Sequence, residues 1–297
     1  MARTDEDTWD LATGVGATAT AVAAARALAT RAGLIEDPLA EPLVTAVGVE
    51  RFLAILEGRP GDASEVERMA QGMAVRTRYF DDFFVESGRG GIRQAVILAS
   101  GLDARGYRLP WPAGTVVYEI DQRGVLDFKA TTLRALDAEP TAEVRAVAAD
   151  LRQDWPASLR AAGFDTERPA AWIAEGLLMY LPPEAQDRLF DSITALSHPG
   201  SRLATEFFPS MDAFTARAAD GEDRWRRFGF SDDLAGLVYG GERNHAVDYL
   251  EGLGWQVSGT PVRQLFDAYG IEHIDDEMSR LFSEARYLTA TMTGGRP

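Results

Sequence analysis

The chain has 297 residues, 46% of them hydrophobic, which is enough for one large globular domain or two ordinary ones. Its 30 Lys and Arg residues against 46 Asp and Glu residues give a formal charge of -16, which opposes binding to nucleic acids and anionic membranes. Cysteine is absent and the three histidines are scattered, which excludes disulfide frameworks, thiolate nucleophiles and Cys-based zinc sites and makes metal-free chemistry our working assumption.

The first residues are acidic and lack the basic and apolar stretches of a signal peptide, so we expect the chain to stay in the cytoplasm. The alanine-rich residues 17–29 form a short, weakly apolar segment that carries Arg26. This segment predicts a packed helix rather than a membrane span.

Residues 1–92 predict a helical N-terminal cover. Glycine and proline suggest where its helices break. The expected breaks are at Gly33, at the Asp37-Pro38 and Glu41-Pro42 pairs, and within residues 58–61.

Residues 93–209 change to short apolar runs separated by helical stretches, which is typical of parallel strands joined by crossover helices. The predicted strands are residues 95–98, 115–120, 144–147, 171–174 and 202–207. The predicted helices are residues 122–137, 156–162 and 183–197. Five such units indicate an α/β fold with an open, doubly wound, mostly parallel sheet.

Residues 210–297 predict a lid insertion followed by completion of the sheet. The polar, aromatic and Gly-containing residues 210–241 are the candidate lid over the substrate side. A helix is expected near residues 244–253, and the segments around Trp255 and Tyr287 are candidate edge strands. We expect the three regions to form one structural domain.

Ligands bind to open α/β sheets at the carboxyl ends of the strands, so the residues after each predicted strand are candidates for a site. After the first strand, small residues surround Gly101, where a ligand can approach the backbone, although any tight turn favours small residues. Asp121 follows the second strand, 20 residues beyond Gly101, the interval at which nucleotide-binding units place an acid for ribose hydroxyls. Asp121 could instead cap the next helix.

Carboxylates also follow the third and fourth strands. Asp150, followed by the apolar Leu151, suits an adenine amino group and ring, or a helix cap. Glu175 ends an apolar strand, which core packing alone does not explain. The first turn lacks the G-x-G-x-x-G of a pyrophosphate site and carries Asp103 where phosphate charge would lie. These features favour a cationic nucleoside without phosphates, and S-adenosylmethionine (SAM) fits them.

As a set, these residues resemble the actinobacterial SAM-dependent methyltransferases related to leucine carboxyl methyltransferases. The resemblance covers residues 8 to about 207. The matching stretches are TWD at 8–10, VGAT at 15–18, AVRTR at 74–78, VILASGLDARGYRL at 96–109, VYEIDQ at 117–122, DLRQDWP at 150–156 and AEGLLMYL at 174–181.

The resemblance implies a Rossmann-like class I methyltransferase sheet with a helical cover, a variable C-terminal lid, and SAM as cofactor. It also implies cofactor-binding roles. Arg76 would bind the cofactor's carboxylate, and Gly101 would let the cofactor approach the backbone closely. Asp121 would bind the ribose, Asp150 and Leu151 the adenine, and Glu175 would lie near the methionine moiety. Ala99 departs from the pattern, because many methyltransferases place a glycine there.

The acceptor is expected to be a carboxylate or hydroxyl of a small molecule. A carboxylate is already ionised at neutral pH and needs no general base. A phenol, alcohol or amine would need one, and Tyr180 and His245 are candidates for that role. No catalytic residue is assigned. Two alternatives are an NAD(P)-dependent oxidoreductase and a noncatalytic SAM-binding module. A serine hydrolase is disfavoured because Ser100 does not lie in G-x-S-x-G.

Overall fold

The central feature of the molecule is a seven-stranded sheet, seen here in a computed structural model that describes residues 11, 12, 14–57, 59, 63–208, 216, 237–273 and 285–294. The strand order is β3-β2-β1-β4-β5-β7-β6. The strands are β1 (Gln94–Leu98), β2 (Val116–Asp121), β3 (Glu143–Ala148), β4 (Ala171–Ala174), β5 (Arg202–Phe207), β6 (Trp255–Pro261) and β7 (Arg286–Met292).

The first five strands are mutually parallel, and β7 pairs antiparallel with both β5 and β6. Each of the five begins and ends within about one residue of its predicted bounds. Strands are also present around Trp255 and Tyr287, as predicted. The strand of Trp255, β6, lies at the edge of the sheet, but the strand of Tyr287, β7, lies between β5 and β6 and is not an edge strand. The α/β prediction therefore holds, with a doubly wound, mostly parallel sheet.

Ten named α-helices surround the sheet in the described residues. They are α1 (Gly14–Arg31), α2 (Ala40–Val47), α3 (Glu50–Leu56), α4 (Ala63–Arg89), α5 (Arg105–Arg108), α6 (Arg123–Ala135), α7 (Trp155–Ala161), α8 (Pro183–Leu196), α9 (Ala246–Gly252) and α10 (Val262–Tyr269). The helices predicted between the strands lie within about two residues of α6, α7 and α8. None of the described helices is long and apolar enough to cross a bilayer.

The expected helix break at Glu41-Pro42 is wrong. Both residues lie in the first turn of α2. The backbone N–H groups of a first turn have no partner within the helix, so a proline there forfeits no hydrogen bond. The proposed lid, residues 210–241, lies outside the described residues except for residue 216 and residues 237–241. The division of the chain into three regions stays a prediction.

The two faces of the sheet carry separate hydrophobic cores, because successive side chains of a strand point to opposite faces. In β1, Ala95 and Ile97 belong to the core beneath the N-terminal helices, whereas Val96 and Leu98 belong to the core beneath α7, α8 and α9. Burial of both faces explains why residues 95–98 of β1 form a continuous apolar run.

The helix α1 is the packed helix predicted from its alanines. It contacts α2, α3 and α4, and Ala17, Ala24 and Ala29 are fully buried. Arg26 is buried as well, and its Nη2 donates to the carbonyl of Leu102, 2.7 Å away. This helix is therefore fixed directly against the turn that follows β1.

Candidate functional site

The candidate site lies at the carboxyl edge of the parallel strands. The strand order reverses between β1 and β4, since β2 and β3 continue to one side and β5 to the other. Crevices for ligands form where the order of an open α/β sheet reverses in this way. The turns after β1, β2, β3 and β4, which carry the residues predicted from sequence, all leave the sheet at this edge.

The turn after β1 brings Gly101 and Asp121 into direct contact. The Gly101 N–H donates to Asp121 Oδ2 at 2.7 Å, and Gly101 has a φ of +48°, which favours glycine. A Cβ at this position would lie 3.0 Å from the Cβ of Ala19 on α1. The glycine therefore allows α1, the turn and the carboxylate to approach one another closely.

Ala99 opens the same turn in an unusual backbone conformation. Its φ is +51°, in the left-handed region where an L-residue with a Cβ is disfavoured by about 1–2 kcal/mol. The sequence departure noted at this position is therefore also a point of backbone strain. Strain of this kind persists only where the surrounding structure imposes it.

Asp121 accepts hydrogen bonds at both carboxylate oxygens. Oδ1 accepts from the N–H of Gln122 and Oδ2 from that of Gly101, each at 2.7 Å. Burial raises the pKa of Asp121, and the two backbone donors oppose that rise. Each oxygen has a second lone pair, so the group retains capacity for two further donors.

Asp150 lies at the same edge, but its charge is paired locally. Arg152 Nη2 contacts Asp150 Oδ2 at 2.6 Å, and Arg152 Nε contacts Oδ1 at 2.9 Å. Burial would raise the pKa of Asp150, but the hydrogen bonds from Arg152 outweigh it and lower that pKa. Leu151 is half-buried and packs against the core beneath α7 and α8.

Arg76, on α4, reaches across to the turn after β4. Its Nε contacts Glu175 Oε1 at 2.8 Å, and its Nη2 contacts Glu206 Oε1 at 3.2 Å. Burial disfavours the charge of Arg76, but Glu206 and Glu175 outweigh burial and raise its pKa. Gly176 makes room for this contact, because a Cβ there would lie 2.6 Å from Arg76 Nη2.

These groups belong to a continuous chain of ion pairs among the described residues. From α1 to β5 it runs Arg26, Asp37, Arg108, Asp81, Arg105, Glu175, Arg76 and Glu206, with Asp103 paired to Arg105. Four guanidinium groups face five carboxylates, so the fully ionised chain carries one net negative charge.

The chain of ion pairs fixes Glu175 as an ionised group. Arg105 is almost fully buried and contacts Glu175 Oε2 at 2.7 Å. Burial would raise the pKa of Glu175, but Arg105 and Arg76 outweigh it and lower that pKa. Asp103 bonds to Arg105 through its carboxylate, so it does not face the crevice as the uncompensated charge that the sequence suggested.

A buried lysine on α6 also holds the turn that follows β1. Lys129 on α6 pairs with Glu119 of β2 at 2.9 Å and donates to the carbonyl of Asp103 at 2.9 Å. The lysine Nζ lies 3.5 Å from Ser100 Oγ as well. These contacts position the turn without reaching the crevice.

The sequence analysis missed two of the charged groups nearest the crevice. Glu206 is the last residue but one of β5, whereas Glu175 directly follows β4, so the signal used for Glu175, an acid after an apolar strand, points only to the neighbourhood of Glu206. Arg105 lies in the stretch 96–109 that carries the family resemblance, but the sequence analysis gave it no role. Nothing in the sequence places Arg105 against Glu175, 70 residues away.

Comparisons with known proteins give the same family as the sequence motifs. The sequence model of the leucine carboxyl methyltransferase family matches residues 19–194, which is more than half of the chain. A protein of Mycobacterium avium (strain 104) is 58% identical over 99% of this chain and 98% of its own length. A protein of Mycolicibacterium paratuberculosis, with 58% identity, covers the same shares. The names of both place them among the SAM-dependent methyltransferases.

Solved structures share the fold at low sequence identity. The magnesium protoporphyrin IX methyltransferase of Synechocystis PCC 6803, solved with bound S-adenosylhomocysteine (SAH), has a TM-score of 0.51 and 15% identity, over 83% of this chain and 94% of its own. A duf574 family protein of Streptomyces avermitilis has a TM-score of 0.50 and 16% identity, over 85% of this chain and 95% of its own.

The full-length relatives decide against the oxidoreductase and the noncatalytic module. The chain belongs to the leucine carboxyl methyltransferase family and is a SAM-dependent methyltransferase.

Proposed function

We propose that the protein methylates a carboxylate or hydroxyl oxygen of a small molecule and works in the cytoplasm. The formal charge of -16 disfavours nucleic acids and anionic membranes as acceptors. The observation that carries the proposal is the meeting of strand-end turns at one crevice, with Gly101, Asp121 and Glu175 on three of them.

We assign the nucleoside part of SAM to the turns after β1, β2 and β3. Asp121 would accept hydrogen bonds from the ribose hydroxyls, and its contact with Gly101 supports a close approach of the ribose to the backbone. Asp150 would accept from the adenine amino group, with Leu151 against the ring. The ion pair with Arg152 leaves Asp150 charged for that role.

We assign the methionine part to the region of Arg76 and Glu175. Arg76 uses Nε and Nη2 for its two acidic partners, and a guanidinium has five N–H donors, so capacity remains for the cofactor's carboxylate. Glu175 would face the ammonium or sulfonium charge. The net negative charge of the ion-pair chain suits a cationic ligand better than a pyrophosphate.

The bound cofactor supplies an electrophilic methyl group on a sulfonium. The protein's task is then to align donor and acceptor and to exclude water, since methyl transfer is an in-line displacement. The rigid turn from Ala99 to Asp103, held by Arg26 and Lys129, provides a fixed position for the cofactor.

The test is incubation of the protein with isotopically labelled SAM and small-molecule extracts, with mass spectrometry of the products. We expect a labelled methyl group on oxygen of one compound class, and a rise in melting temperature with SAH but not with NAD. Transfer to nucleic acid or protein instead, under the same conditions, would refute the small-molecule proposal. Cell fractionation checks the location.

A further inference from the structure

Arg105, the first residue of α5, joins the two turns that flank the reversal of the strand order, those after β1 and β4. Its Nη1 contacts Asp103 in the turn after β1, and it contacts Glu175 Oε2 after β4 at 2.7 Å. Its Nε contacts Asp81 Oδ1 on α4 at 2.6 Å. One guanidinium therefore links both turns of the crevice to the helical cover.

Arg105 and Glu175 differ in their access to the crevice. Arg105 is 1% exposed, so it is not placed to touch a ligand. Glu175 keeps 11% of its side chain exposed. Each oxygen of Glu175 is held by a different guanidinium, Oε1 by Arg76 and Oε2 by Arg105. A carboxylate held at both oxygens has a fixed orientation, and here one of the two bonds that fix it comes from a residue outside the crevice.

These contacts depend on the shape of an arginine as well as on its charge. A guanidinium is planar and presents its Nε and Nη donors in fixed directions, which Arg105 uses toward Asp81 on one side and Asp103 and Glu175 on the other. A lysine would bring the same charge on one compact ammonium group and could not reproduce this arrangement. The position of Glu175 therefore depends on the geometry of residue 105.

We propose that Arg105 is a positioning residue for the cofactor, which holds Glu175 in the place and orientation that the charged methionine part of SAM requires. The inference rests on the proposed function, which assigns that part of SAM to Arg76 and Glu175, and it extends the site to a residue that does not touch the ligand. Because methyl transfer is an in-line displacement, an error of about 1 Å in the placement of the donor slows the reaction. Arg105 thereby fixes the methionine end relative to the turn after β1, which receives the nucleoside.

Two ligands separate the two ends of the cofactor site. SAM carries the sulfonium and the amino-acid part, whereas 5′-methylthioadenosine has the same adenine and ribose and carries neither. By calorimetry, we expect Arg105→Lys to weaken SAM about tenfold, the lower end of the range for a hydrogen bond to a charged group. Methylthioadenosine should stay within about threefold of the parent's affinity, because Arg26 and Lys129 still hold the turn after β1. Equal losses for the two ligands, or no loss for SAM, would overturn the inference.

The matched control is the same substitution at an arginine far from the crevice. Arg202 is the first residue of β5, at the opposite edge of the sheet, and its Nη1 donates to Ser87 Oγ at 3.0 Å. Arg202→Lys should leave the affinities for SAM and methylthioadenosine unchanged. A loss of SAM affinity in Arg202→Lys equal to that in Arg105→Lys would show a general effect of the substitution and would overturn the inference.

A double-mutant cycle shows whether Arg105 acts through Glu175. Glu175→Gln alone should weaken SAM about 10- to 100-fold, since the charge that faces the cation is lost. In that background Arg105→Lys should add little, because the group that it positions is no longer charged; additive losses would overturn the inference. If Glu175→Gln alone left SAM affinity unchanged, the proposed assignment of the methionine part would fail together with this inference. A loss in Glu175→Gln without one in Arg105→Lys would overturn this inference alone.

Arg105 also acts on the charge of Glu175. Burial would raise the pKa of Glu175, and Arg105 and Arg76 outweigh burial and lower that pKa. Removing the cation at residue 105 should therefore raise the pKa of Glu175. The charged and titratable groups around Glu175 among the described residues come from several elements: Arg26 on α1, Arg76 on α4, Asp103 after β1, Arg105 on α5, Glu206 on β5 and Tyr287 on β7.

The pH dependence of binding gives a readout that a merely structural role would not move. In Arg105→Gln, SAM affinity should begin to fall at a higher pH than in the parent as the pH drops, because protonated Glu175 no longer attracts a cation. Arg105→Lys keeps the charge and should keep the parent's profile. The ratio of the affinities for SAM and methylthioadenosine cancels the contribution of Asp121, since both ligands carry the ribose. An unshifted ratio in Arg105→Gln would overturn the inference, and if that variant does not fold, Arg105→Lys and the cycle decide.

Discussion

Replacing Asp121 with Asn tests the placement of the cofactor most directly. In the parent, the two carboxylate oxygens accept from the N–H groups of Gly101 and Gln122, each at 2.7 Å. Asn keeps the shape but presents an NH₂ group to one of these donors. One backbone N–H then faces another donor, and a hydrogen bond to a charged group, worth about 1.5–3 kcal/mol, is lost from the turn.

The same substitution removes one of the two acceptors proposed for the ribose. At about 1.5–3 kcal/mol for that contact, affinity should fall about 10- to 100-fold. The loss should be equal for SAM and SAH, because both carry the same ribose. Calorimetry with each ligand measures it, and Asp127→Asn on the exposed side of α6 is the matched control.

The pH dependence of binding follows from the same carboxylate. Burial raises the pKa of Asp121 in the folded, ligand-free protein above its unfolded value, so its ionisation opposes folding as the pH rises through that pKa. Ribose hydroxyls donate to the ionised form, so SAH affinity should fall as the pH falls through the raised pKa. Asp121→Asn should lack this fall. If the variant binds both ligands like the parent and only its melting temperature drops, Asp121 merely holds the turn and the reasoning fails.

Three further substitutions test other parts of the site. Arg76→Ala should lower SAM affinity about 10- to 100-fold by calorimetry and the free energy of unfolding by about 3–5 kcal/mol in urea, because two buried carboxylates lose their shared cation. Ala99→Gly should raise the free energy of unfolding by up to about 1 kcal/mol, because glycine relieves the backbone strain at a φ of +51°. The greater chain entropy of glycine in the unfolded state offsets part of this gain. A fall of more than about 1 kcal/mol in the free energy of unfolding would contradict this reasoning. Gly176→Ala should lower the free energy of unfolding by about 1–3 kcal/mol, because Gly176 has a φ of +64° and an added Cβ would lie 2.6 Å from Arg76 Nη2. It should also weaken SAM binding through the displaced Arg76. Unchanged SAM affinity would show that Gly176 does not support the binding site.

The strands could be predicted from the sequence because burial on both faces leaves a local signature. The runs that became β1 and β4 are short, apolar and bounded by polar residues or turns, so each could be recognised without knowing its neighbours. The break expected at Pro42 failed because a proline has the same local chemistry in a turn and in the first turn of a helix. Only tertiary packing of α2 distinguishes the two.

The partners of the charged residues could not be predicted in this way. The acids at 121 and 175 were predicted as site candidates because they close strands, and strand ends meet at one edge whatever the rest of the chain does. The pairing of Glu175 with Arg76 joins residues 99 positions apart, and it depends on how α4 crosses the sheet. No periodicity or spacing records that crossing, so the ion-pair chain emerges only in three dimensions.

The arrangement around Arg76 bears on how an anionic group could bind beside so many carboxylates. Arg76 separates Glu175 from Glu206, and its pKa is raised by both. If the cofactor's carboxylate displaced either acid from Arg76, a buried negative charge would lose its partner, at a cost of several kcal/mol. Binding through the remaining guanidinium donors avoids that cost, and the cofactor's own ammonium and sulfonium charges then offset the acids on either side. The geometry thus favours a ligand that carries both signs of charge a few ångströms apart, as the methionine part of SAM does.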